Sequence, residues 1–393
     1  MKAGWSIRPL GELCKTGAGG TPLKSRKEFY EGGNIPWLLS GEVSQGEITE
    51  ATNFITQKGL QNSSARLFPP NTVLVAMYGA TAGQVGILRF EASTNQAVCG
   101  ILPSVHFLPE FLFYFFLHKK DELVAQAAGN AQPNISQIKI RNMGVPAAPL
   151  PEQHRIVALL DEAFDGIAVA HTNAEKNLQN ARALFESHLQ SVFTERGEGW
   201  VEQRIGEICT LKSGTSVSVS LEKAEGEIPY VKLSDMTYAG NETEIVGSSR
   251  YLDMAEVGKN SVFPEGTTIF PKRGGAILTN KKRLTALPIC ADLNIMGVIP
   301  PSNLLPRLLY YYFLNVDMRL LGSGSSIPQI NNYDIAPLKI SFPEAKEEQG
   351  AILQMLDDLS VETQRLESIT QQKLTALDDL KKSLLHQAFS GQL

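Results

Sequence analysis

The sequence has few of the residues that build metal centres and disulfide frameworks. Its 393 residues include four cysteines and six histidines. The cysteines lie far apart, with no C-x-x-C pair and no histidines at ligand spacing, at positions Cys14, Cys99, Cys209 and Cys290. The sequence therefore predicts neither a zinc site nor a disulfide framework, and the cysteines are interpreted as small buried apolar residues.

Long apolar runs are also absent. The aromatic run from Phe111 to Leu117 is far shorter than the roughly 20 residues that a transmembrane helix needs. The N-terminal residues, MKAGWSIRPL, contain no apolar core of a signal peptide. We therefore expect a cytoplasmic protein.

Motifs of common catalytic sites do not occur. The sequence has no Asn/Asp-Pro-Pro-aromatic loop for holding a flipped base and no G-x-x-x-x-G-K-[ST] phosphate loop. It also has no G-x-S-x-G elbow and no H-E-x-x-H pair. These absences favour a protein without a catalytic site, although an enzyme with an unrecognised site stays open as an alternative.

Basic residues are not in excess, which argues against a uniformly basic nucleic-acid coat. The net charge is −5, and its distribution is uneven: +3 for residues 1–150, −4 for 151–195, zero for 196–343 and −4 for 344–393. Because the acidic excess is confined to two segments, basic residues elsewhere are freer to meet an anionic partner.

What the sequence does contain is an internal repeat. The stretch GELCKTGAGGT from Gly11 has a near-copy, GEICTLKSGT, from Gly206. Later words repeat in the same order, including the aromatic segments PEFLFYFFL from Pro109 and PRLLYYYFL from Pro306. Strand-like and helical segments alternate in each copy, which predicts two homologous α/β (α+β) units of about 150 residues each.

Each copy is followed by a long segment with helical periodicity. Residues 152–193 contain no proline and one glycine, and their apolar residues recur mostly three, four or seven positions apart. The C-terminal segment repeats this pattern. We predict two helices of about 40 residues, roughly 60 Å long, which pair as an antiparallel, pseudo-twofold coiled coil. The alternative is that each helix folds back on its own domain.

These patterns divide the chain into four parts. Residues 1–150 form head one, 151–195 a central spacer helix, 196–343 head two, and 344–393 a C-terminal spacer helix. Both heads carry loops rich in hydroxyl, amide, glycine and basic groups, such as MYGATAGQ from Met77 and PKRGG from Pro271. These groups suit phosphates and base edges, although surface loops are commonly polar.

Together these features resemble the specificity subunits of type I restriction-modification enzymes. The resemblance is carried by PLPEQHRIVALLDEAF from Pro149, which is similar to the entry into that family's spacer helix, and by LKKSLLHQAFSGQL from Leu380, which is similar to its C-terminal ending. YGATAGQVGI from Tyr78 and NQAVCGILP from Asn95 are similar to words of its target recognition domains. Head two departs from these words with PKRGGAILTN and DLNIMGVIP.

The resemblance implies a non-catalytic DNA reader. Each head, as a target recognition domain, would read one half of an asymmetric bipartite site in double-stranded DNA, with the helical spacer fixing the gap. Two methyltransferase subunits would bind around the spacer helices, and an endonuclease subunit would join them. S-adenosylmethionine, ATP and magnesium would belong to those partners, with no cofactor or metal in this chain.

Candidate contact residues follow from the polar loops. For head one we predict DNA contacts from Thr21, Ser40, Arg66, Tyr78, Thr81, Gln84, Asn95, Asn134 and Ser136. For head two we predict them from Lys212, Lys232, Asp235, Arg250, Lys272, Arg273, Lys281, Lys282 and Arg283. The apolar positions of the partner-binding helices are Ile156, Leu160, Phe164, Leu178, Phe185, Leu356, Leu366, Leu377, Leu384 and Phe389. A coiled-coil scaffold with no role in DNA recognition stays open as a second alternative.

Overall fold

A computed structural model describes residues 4–126, 134–195, 197–258, 261–322 and 328–393. The chain divides into two compact units. The first consists of Met1–Glu175 together with Gln371–Leu393, and the second of Lys176–Thr370. Each unit therefore contains one of the predicted heads and a part of each long helix.

Short strands and helices alternate through head one and lead into the first long helix. The elements are β1 (Ser6–Pro9), α1 (Leu10–Leu13), β2 (Thr16–Ala18), β3 (Ile35–Leu38), β4 (Glu47–Ile48), β5 (Phe54–Ile55), α2 (Gln57–Gln61), β6 (Leu67–Phe68), β7 (Thr72–Ala76), β8 (Val85–Leu88), β9 (Ala92–Thr94), β10 (Val98–Ile101), α3 (Pro109–His118), α4 (Lys120–Gln126), α5 (Gln137–Asn142), β11 (Gly144–Ala147) and α6 (Leu150–Thr194).

Head two repeats the order of the strands, with no α-helix in place of α2 and α4 among its described residues, and leads into the second long helix. Its elements are β12 (Trp200–Arg204), α7 (Ile205–Ile208), β13 (Thr210–Ser213), β14 (Ile228–Val231), β15 (Glu244–Ile245), β16 (Tyr251–Leu252), β17 (Val262–Phe263), β18 (Thr268–Pro271), β19 (Arg283–Thr285), β20 (Ile289–Ala291), β21 (Ile295–Ile299), α8 (Pro306–Asn315), α9 (Asn332–Ile335), β22 (Lys339–Pro343) and α10 (Lys346–Ser390).

The sheets of the two heads correspond strand for strand. Head one has a five-stranded sheet in the order β2-β10-β7-β8-β4, a four-stranded sheet β5-β3-β9-β6, and the pair β1-β11. Head two has β13-β21-β18-β19-β15, β16-β14-β20-β17 and β12-β22. The parallel pairs also match, with β4-β8 and β3-β9 in head one and β15-β19 and β14-β20 in head two. The tandem repeat predicted from the sequence is confirmed.

The strands in the middle of the sheets have uninterrupted runs of apolar and β-branched residues. All five residues of β7, TVLVA, are buried, and this strand pairs on both sides with β10 and β8. Such runs suit the middle of a sheet that is covered on both faces. The aromatic helices α3 and α8 each begin with proline at the first turn, where the missing N–H costs nothing.

The core of the first unit joins both long helices to head one. Ile156 and Leu160 of α6 are buried with the aromatic residues of α3. The ring of Phe389, near the end of α10, lies 5.2 Å from that of Phe111 and 5.5 Å from that of Phe115. The second unit has a related cluster, in which Leu189 of α6 and Leu356 of α10 are buried against Tyr311 of α8.

The long helices also contact each other, and they run antiparallel. In the first unit Arg155 donates to the carbonyl of Leu393, and Lys381 lies over the ring of Phe164. In the second unit Arg182 Nε donates to Glu367 at 2.6 Å, while the ring of His188 lies 3.4 Å from Met355 Sδ. In both units, positions rise along one helix as they fall along the other. The antiparallel pairing is confirmed, and the helices complete the head cores as well.

None of the helices in the described part of the chain combines the length and the apolar composition needed to cross a membrane.

Candidate nucleic-acid interface

A glycine-rich loop runs against the same strand edge in both heads. In head one the N–H of Gly20 donates to Thr94 O at 2.9 Å, and in head two the N–H of Thr215 donates to Ala291 O at 2.8 Å. A Cβ at Gly19 would lie 2.3 Å from Asn95 O, so only glycine allows this approach. The predicted contact residue Thr21 directly follows this loop, and its hydroxyl donates to Gln96.

Different side chains support this loop in the two heads. Trp37 Nε1 donates to Gly20 O at 3.0 Å in head one. Tyr230 Oη donates to Thr215 O at 3.0 Å in head two. The backbone of this loop is therefore held in the same way in both heads, although the supporting side chain is a tryptophan in one and a tyrosine in the other.

A second loop in head one begins after β7 with residues Tyr78–Ala82. Tyr78 forms a bridge with Asn134, its side chain is 37% exposed, and Gly79 follows with a φ of 71°. The hydroxyl of Thr81 donates to Tyr78 O at 3.2 Å and closes the turn. The structure thus brings together three of the predicted contact residues.

Head two presents arginine at the corresponding place. Arg273 forms a bridge with Gln329, and Gly274 follows with a φ of 65°. The Arg273 side chain is exposed. Lys272, just before it, donates to Ser213 Oγ at 2.7 Å, and the pKa of Lys272 is lowered by burial and by the neighbouring Arg273 charge. This loop therefore offers a cationic surface where head one offers a tyrosine.

A carboxylate holds two loop segments together in head one. Glu42 Oε2 accepts the N–H of Leu39 at 2.7 Å, and Oε1 accepts the N–H of Thr52 at 3.1 Å and its hydroxyl at 3.0 Å. The predicted contact residue Ser40, which is half-buried, lies between the anchored positions Leu39 and Glu42.

Asp235 makes the equivalent bonds in head two. Its Oδ2 accepts the N–H of Lys232 at 2.8 Å, and its Oδ1 accepts the hydroxyl of Ser249 at 3.0 Å. Asp235 is only 2% exposed. Its geometry is that of a loop anchor, which corrects our expectation that this side chain meets DNA.

Two more predicted contacts in head two bond groups inside the fold. Lys282 is 2% exposed and donates to Val316 O at 2.7 Å and to Asn280 Oδ1 at 2.8 Å. Burial lowers the pKa of Lys282 to about 8. Arg283 donates to three backbone carbonyls, those of Asn241, Lys282 and Met236. The buried Lys282 is therefore reassigned to loop support, whereas Arg283 is half-buried and its contact with DNA stays a prediction.

Each head also places one cation beside an equivalent phenylalanine. In head one Arg66 lies over Gly17, where a Cβ would meet Nη1 at 2.9 Å and the Phe68 ring at 3.4 Å. In head two Lys212 occupies the strand position equivalent to Gly17, and its Nζ lies 4.9 Å from the centre of the Phe263 ring. Burial lowers the pKa of Lys212. The cation therefore comes from a loop in one head and from a strand in the other.

The remaining predicted contacts occupy turns or partly buried positions. Asn95 Oδ1 accepts the N–H of Ala97 at 3.0 Å. Ser136 caps α5 by accepting the N–H of Lys139. Gln84 and Lys281 are half-buried. In the part of the chain that the structure describes, no group of three or more His, Cys, Asp or Glu side chains could hold a metal ion.

The predicted helix positions are mostly inside the units. Those that are buried are Ile156, Leu160, Leu356 and Phe389, and those that are half-buried are Phe164, Leu178, Phe185, Leu377 and Leu384. Leu366 is 43% exposed. Three apolar residues outside the predicted stripe are more exposed, namely Val169, Leu184 and Val361.

Sequence reasoning missed Glu42, Thr52, Asn53 and Glu222. One signal was present, because an acidic residue lies five positions after the aromatic residue of the same strand in both repeats, at Glu42 after Trp37 and at Asp235 after Tyr230.

Comparison with known proteins gives a consistent result. The sequence profile described as "Type I restriction modification DNA specificity domain" matches the chain twice, at residues 2–179 and 197–376. The specificity subunit of the type I restriction enzyme MjaIX from Methanocaldococcus jannaschii is 24% identical over 369 residues, covering 86% of this chain and 83% of that protein. The StySPI specificity subunit from Salmonella potsdam is 22% identical, covering 100% and 90%.

Two solved structures share the fold. A chain from a study of complex assembly and conformational transition of the type I R-M system superposes with a TM-score of 0.84 at 19% identity, covering 100% of this chain and 99% of the other. The HsdS subunit from Thermoanaerobacter tengcongensis gives a TM-score of 0.62 at 19% identity, covering 100% and 98%.

Proposed function

Because the chain belongs to the family of type I restriction-modification DNA specificity subunits, we propose that each of its heads reads one half of an asymmetric, bipartite DNA site. The antiparallel helices fix the gap between the halves. The chain itself is a non-catalytic recognition subunit.

One observation supports this division of labour above all. The two heads have the same strand order and unlike side chains at equivalent loop positions, such as Tyr78 and Arg273. Identical loops would read the same bases twice and select a palindrome. Divergent loops on one scaffold select two different half-sites, since base edges in the major groove are distinguished by the donors and acceptors that meet them.

The partners follow from this role. We propose that two methyltransferase subunits dock around the spacer helices and that an endonuclease subunit joins them. S-adenosylmethionine, ATP and magnesium are then held by those subunits in the cytoplasm. The net charge of −5 fits such an assembly, because partners that clamp the duplex can supply much of the phosphate attraction.

A methylation map tests the proposal. The chain is expressed with its methyltransferase partner in a host without DNA methylation, and modified bases are located by single-molecule sequencing. We expect a bipartite motif with a fixed gap that is absent when the methyltransferase is expressed alone. A complex that co-purifies but methylates no new motif would contradict the proposal and favour a scaffold. Methyl transfer by this chain alone would contradict its non-catalytic role.

A further inference from the structure

The loop anchors of the two heads each continue into a hydrogen-bond relay. In head one Asn53 Nδ2 donates to Thr52 Oγ1 at 2.9 Å, and Thr52 Oγ1 donates to Glu42 Oε1 at 3.0 Å. In head two Arg250 Nη1 donates to Ser249 Oγ at 3.0 Å, and Ser249 Oγ donates to Asp235 Oδ1 at 3.0 Å. Both relays run from a side chain through a hydroxyl to a carboxylate.

Backbone bonds place the ends of the two relays at equivalent positions. The N–H of Trp37 donates to Asn53 O at 2.8 Å, and the N–H of Tyr230 donates to Arg250 O at 2.8 Å. Trp37 and Tyr230 occupy the same position of the matching strands β3 and β14, one pairing with Ser93 and the other with Cys290. The fold therefore presents an amide in one head and a guanidinium in the other from the same point.

A further carboxylate supports the guanidinium in head two. Glu222 Oε2 lies 3.3 Å from Arg250 Nε, and Asp235 Oδ2 lies 3.4 Å from Nη1. The Glu222 side chain is only 10% exposed, and that of Arg250 is 33% exposed. Nη1 bonds Ser249 and Asp235 and Nε faces Glu222, whereas no acceptor among the described residues bonds Nη2, so Nη2 is the nitrogen left free.

This arrangement suits base recognition better than phosphate attraction. A mobile surface arginine loses rotamer freedom when it binds, whereas one already fixed by two carboxylates loses less. Glu222 also pairs with Lys232 Nζ at 2.6 Å, so the two carboxylates balance the two cations of this cluster, and the absence of excess positive charge would weaken a contact made only for charge. The free Nη2 can donate its hydrogens to the O6 and N7 acceptors that guanine presents in the major groove.

The amide in head one has complementary chemistry. Nδ2 of Asn53 uses one hydrogen on Thr52 and keeps a second. No described residue donates to its Oδ1. An asparagine with one free donor and one free acceptor matches N7 and the N6 amino group of adenine.

We propose that positions 53 and 250 are equivalent base-reading positions, with Asn53 reading an adenine in one half-site and Arg250 a guanine in the other. Glu42, Asp235 and Glu222 are positioning residues for them. This inference rests on the proposed function and adds the class of base that each head requires at one position.

The test uses the complex with the methyltransferase and compares methylation motifs. Replacing arginine by alanine or lysine at position 250 (R250A, R250K) should remove the requirement for one guanine in one half-site and leave the other half-site unchanged. Discrimination against the duplex with that guanine replaced should fall about 5- to 10-fold, near the lower end of the range for a specific base contact. Asn53→Ala should likewise remove the requirement for one adenine in the opposite half-site.

The positioning residues need a measurement that simple destabilisation would not change. Asp235→Asn and Glu222→Gln keep the shape of the side chains but remove the charge. We expect each to lower discrimination at the same guanine while discrimination at every other base of the motif is retained. An equal loss at all bases would mean that the carboxylates only stabilise the head and would overturn their assignment.

Arg319→Ala is the matched control, because Arg319 is also a surface arginine of the second unit held by a carboxylate, Asp317. It should leave the motif unchanged. If R250A abolishes methylation altogether, the R250K variant decides, because it keeps a charge but lacks the Nη2 donor of the guanidinium. Retention of every base by R250K would overturn the inference while the proposed function stands. Absence of a bipartite motif with the unaltered chain would instead refute the proposed function.

Discussion

At the scale of single residues, the most informative side chains are those that burial has removed from contact with solvent. Lys282 is the clearest case, since its ammonium group is enclosed by Asn280 and Val316. A charged side chain with nearly all of its surface buried gives up solvation that two hydrogen bonds only partly replace. Its pKa is therefore lowered to about 8, below the ordinary lysine value of 10.5.

This shift predicts a pH dependence of stability. Between about pH 8 and the unfolded value of 10.5, the unfolded state binds more protons at Lys282 than the folded state does. The free energy of unfolding should therefore rise with pH in that window, with a slope of up to about 1.4 kcal/mol per pH unit from this group. Lys282→Met should remove this contribution, as measured by urea unfolding between pH 7 and 10.

Lys281→Met is the appropriate control, because it removes a lysine one position away whose side chain is half-buried. The difference between the two variants isolates the effect of the buried site. A Lys282→Met protein with the same pH slope as the unaltered chain would contradict a lowered pKa at this position.

The sequence could indicate which types of residue suit contact with DNA, but it could not indicate which individual residues of those types are accessible. Lys281, Lys282 and Arg283 are consecutive basic residues, and no pattern of charge separates them. Lys282 differs from its neighbours only in the folded structure, where its side chain is buried. The relays were also hidden, because Glu42 and Asn53 are 11 positions apart while Asp235 and Arg250 are 15 apart. This difference in spacing hides the correspondence of the two repeats in the sequence, although the hydrogen bonds in the two heads are equivalent.

At the scale of elements, each aromatic helix is joined to a long helix by a tyrosine and an aspartate. Tyr114 of α3 donates to Asp161 of α6 at 2.5 Å. Tyr311 of α8 donates to Asp357 of α10 at 2.5 Å. The same bond therefore connects head and spacer in both units, and the carboxylate of Asp357 also accepts from Arg307 at 2.8 Å.

Removing the hydroxyl at Tyr311 should weaken this junction. Tyr311 is 2% exposed, and its partner is a half-buried carboxylate. Tyr311→Phe should lower the free energy of unfolding by about 1.5 to 3 kcal/mol, the usual range for a hydrogen bond to a charged group. Urea unfolding monitored by circular dichroism would measure it.

Tyr238→Phe supplies the comparison, because Tyr238 is 57% exposed and its hydroxyl bonds no described residue. It should change stability by less than about 0.5 kcal/mol. Equal effects of the two substitutions would show that the Tyr311 hydroxyl contributes nothing specific at the junction.

The two long helices were predictable at this scale, because a narrow apolar stripe over about 40 residues is typical of a long helix that packs against another helix. Their second role was not. The stripe residues Ile156 and Leu160 pack into the core of head one, and periodicity cannot distinguish a seam between helices from a face buried against a sheet. The short two-residue strands, such as β4 and β15, carry too little pattern to be recognised.

At the scale of the whole molecule, the first unit takes its core from both ends of the chain. Leu385, Ala388 and Phe389 of α10 are buried in the same cluster as Trp5 and Leu10. Phe389→Ala should therefore destabilise the first unit by about 3 to 5 kcal/mol. Hydrogen exchange should show faster exchange in β7 and α3 than in the unaltered chain.

Leu380→Ala is a matched control on the same helix, because Leu380 is 46% exposed. It should leave exchange in the first unit unchanged within error. Protection of β7 and α3 that survives Phe389→Ala would mean that head one does not depend on the C-terminal helix.

The two-segment makeup of the first unit has a consequence for biosynthesis. Head one emerges from the ribosome before head two, yet the residues Gln371–Leu393 that complete its unit are made after head two. While some two hundred further residues are translated, Phe111 and Phe115 lack the ring of Phe389 that packs against them in the folded unit. In that interval the core of the first unit lacks Phe389, so a chain terminated early within α10 should be more susceptible to proteolysis in head one than the full chain.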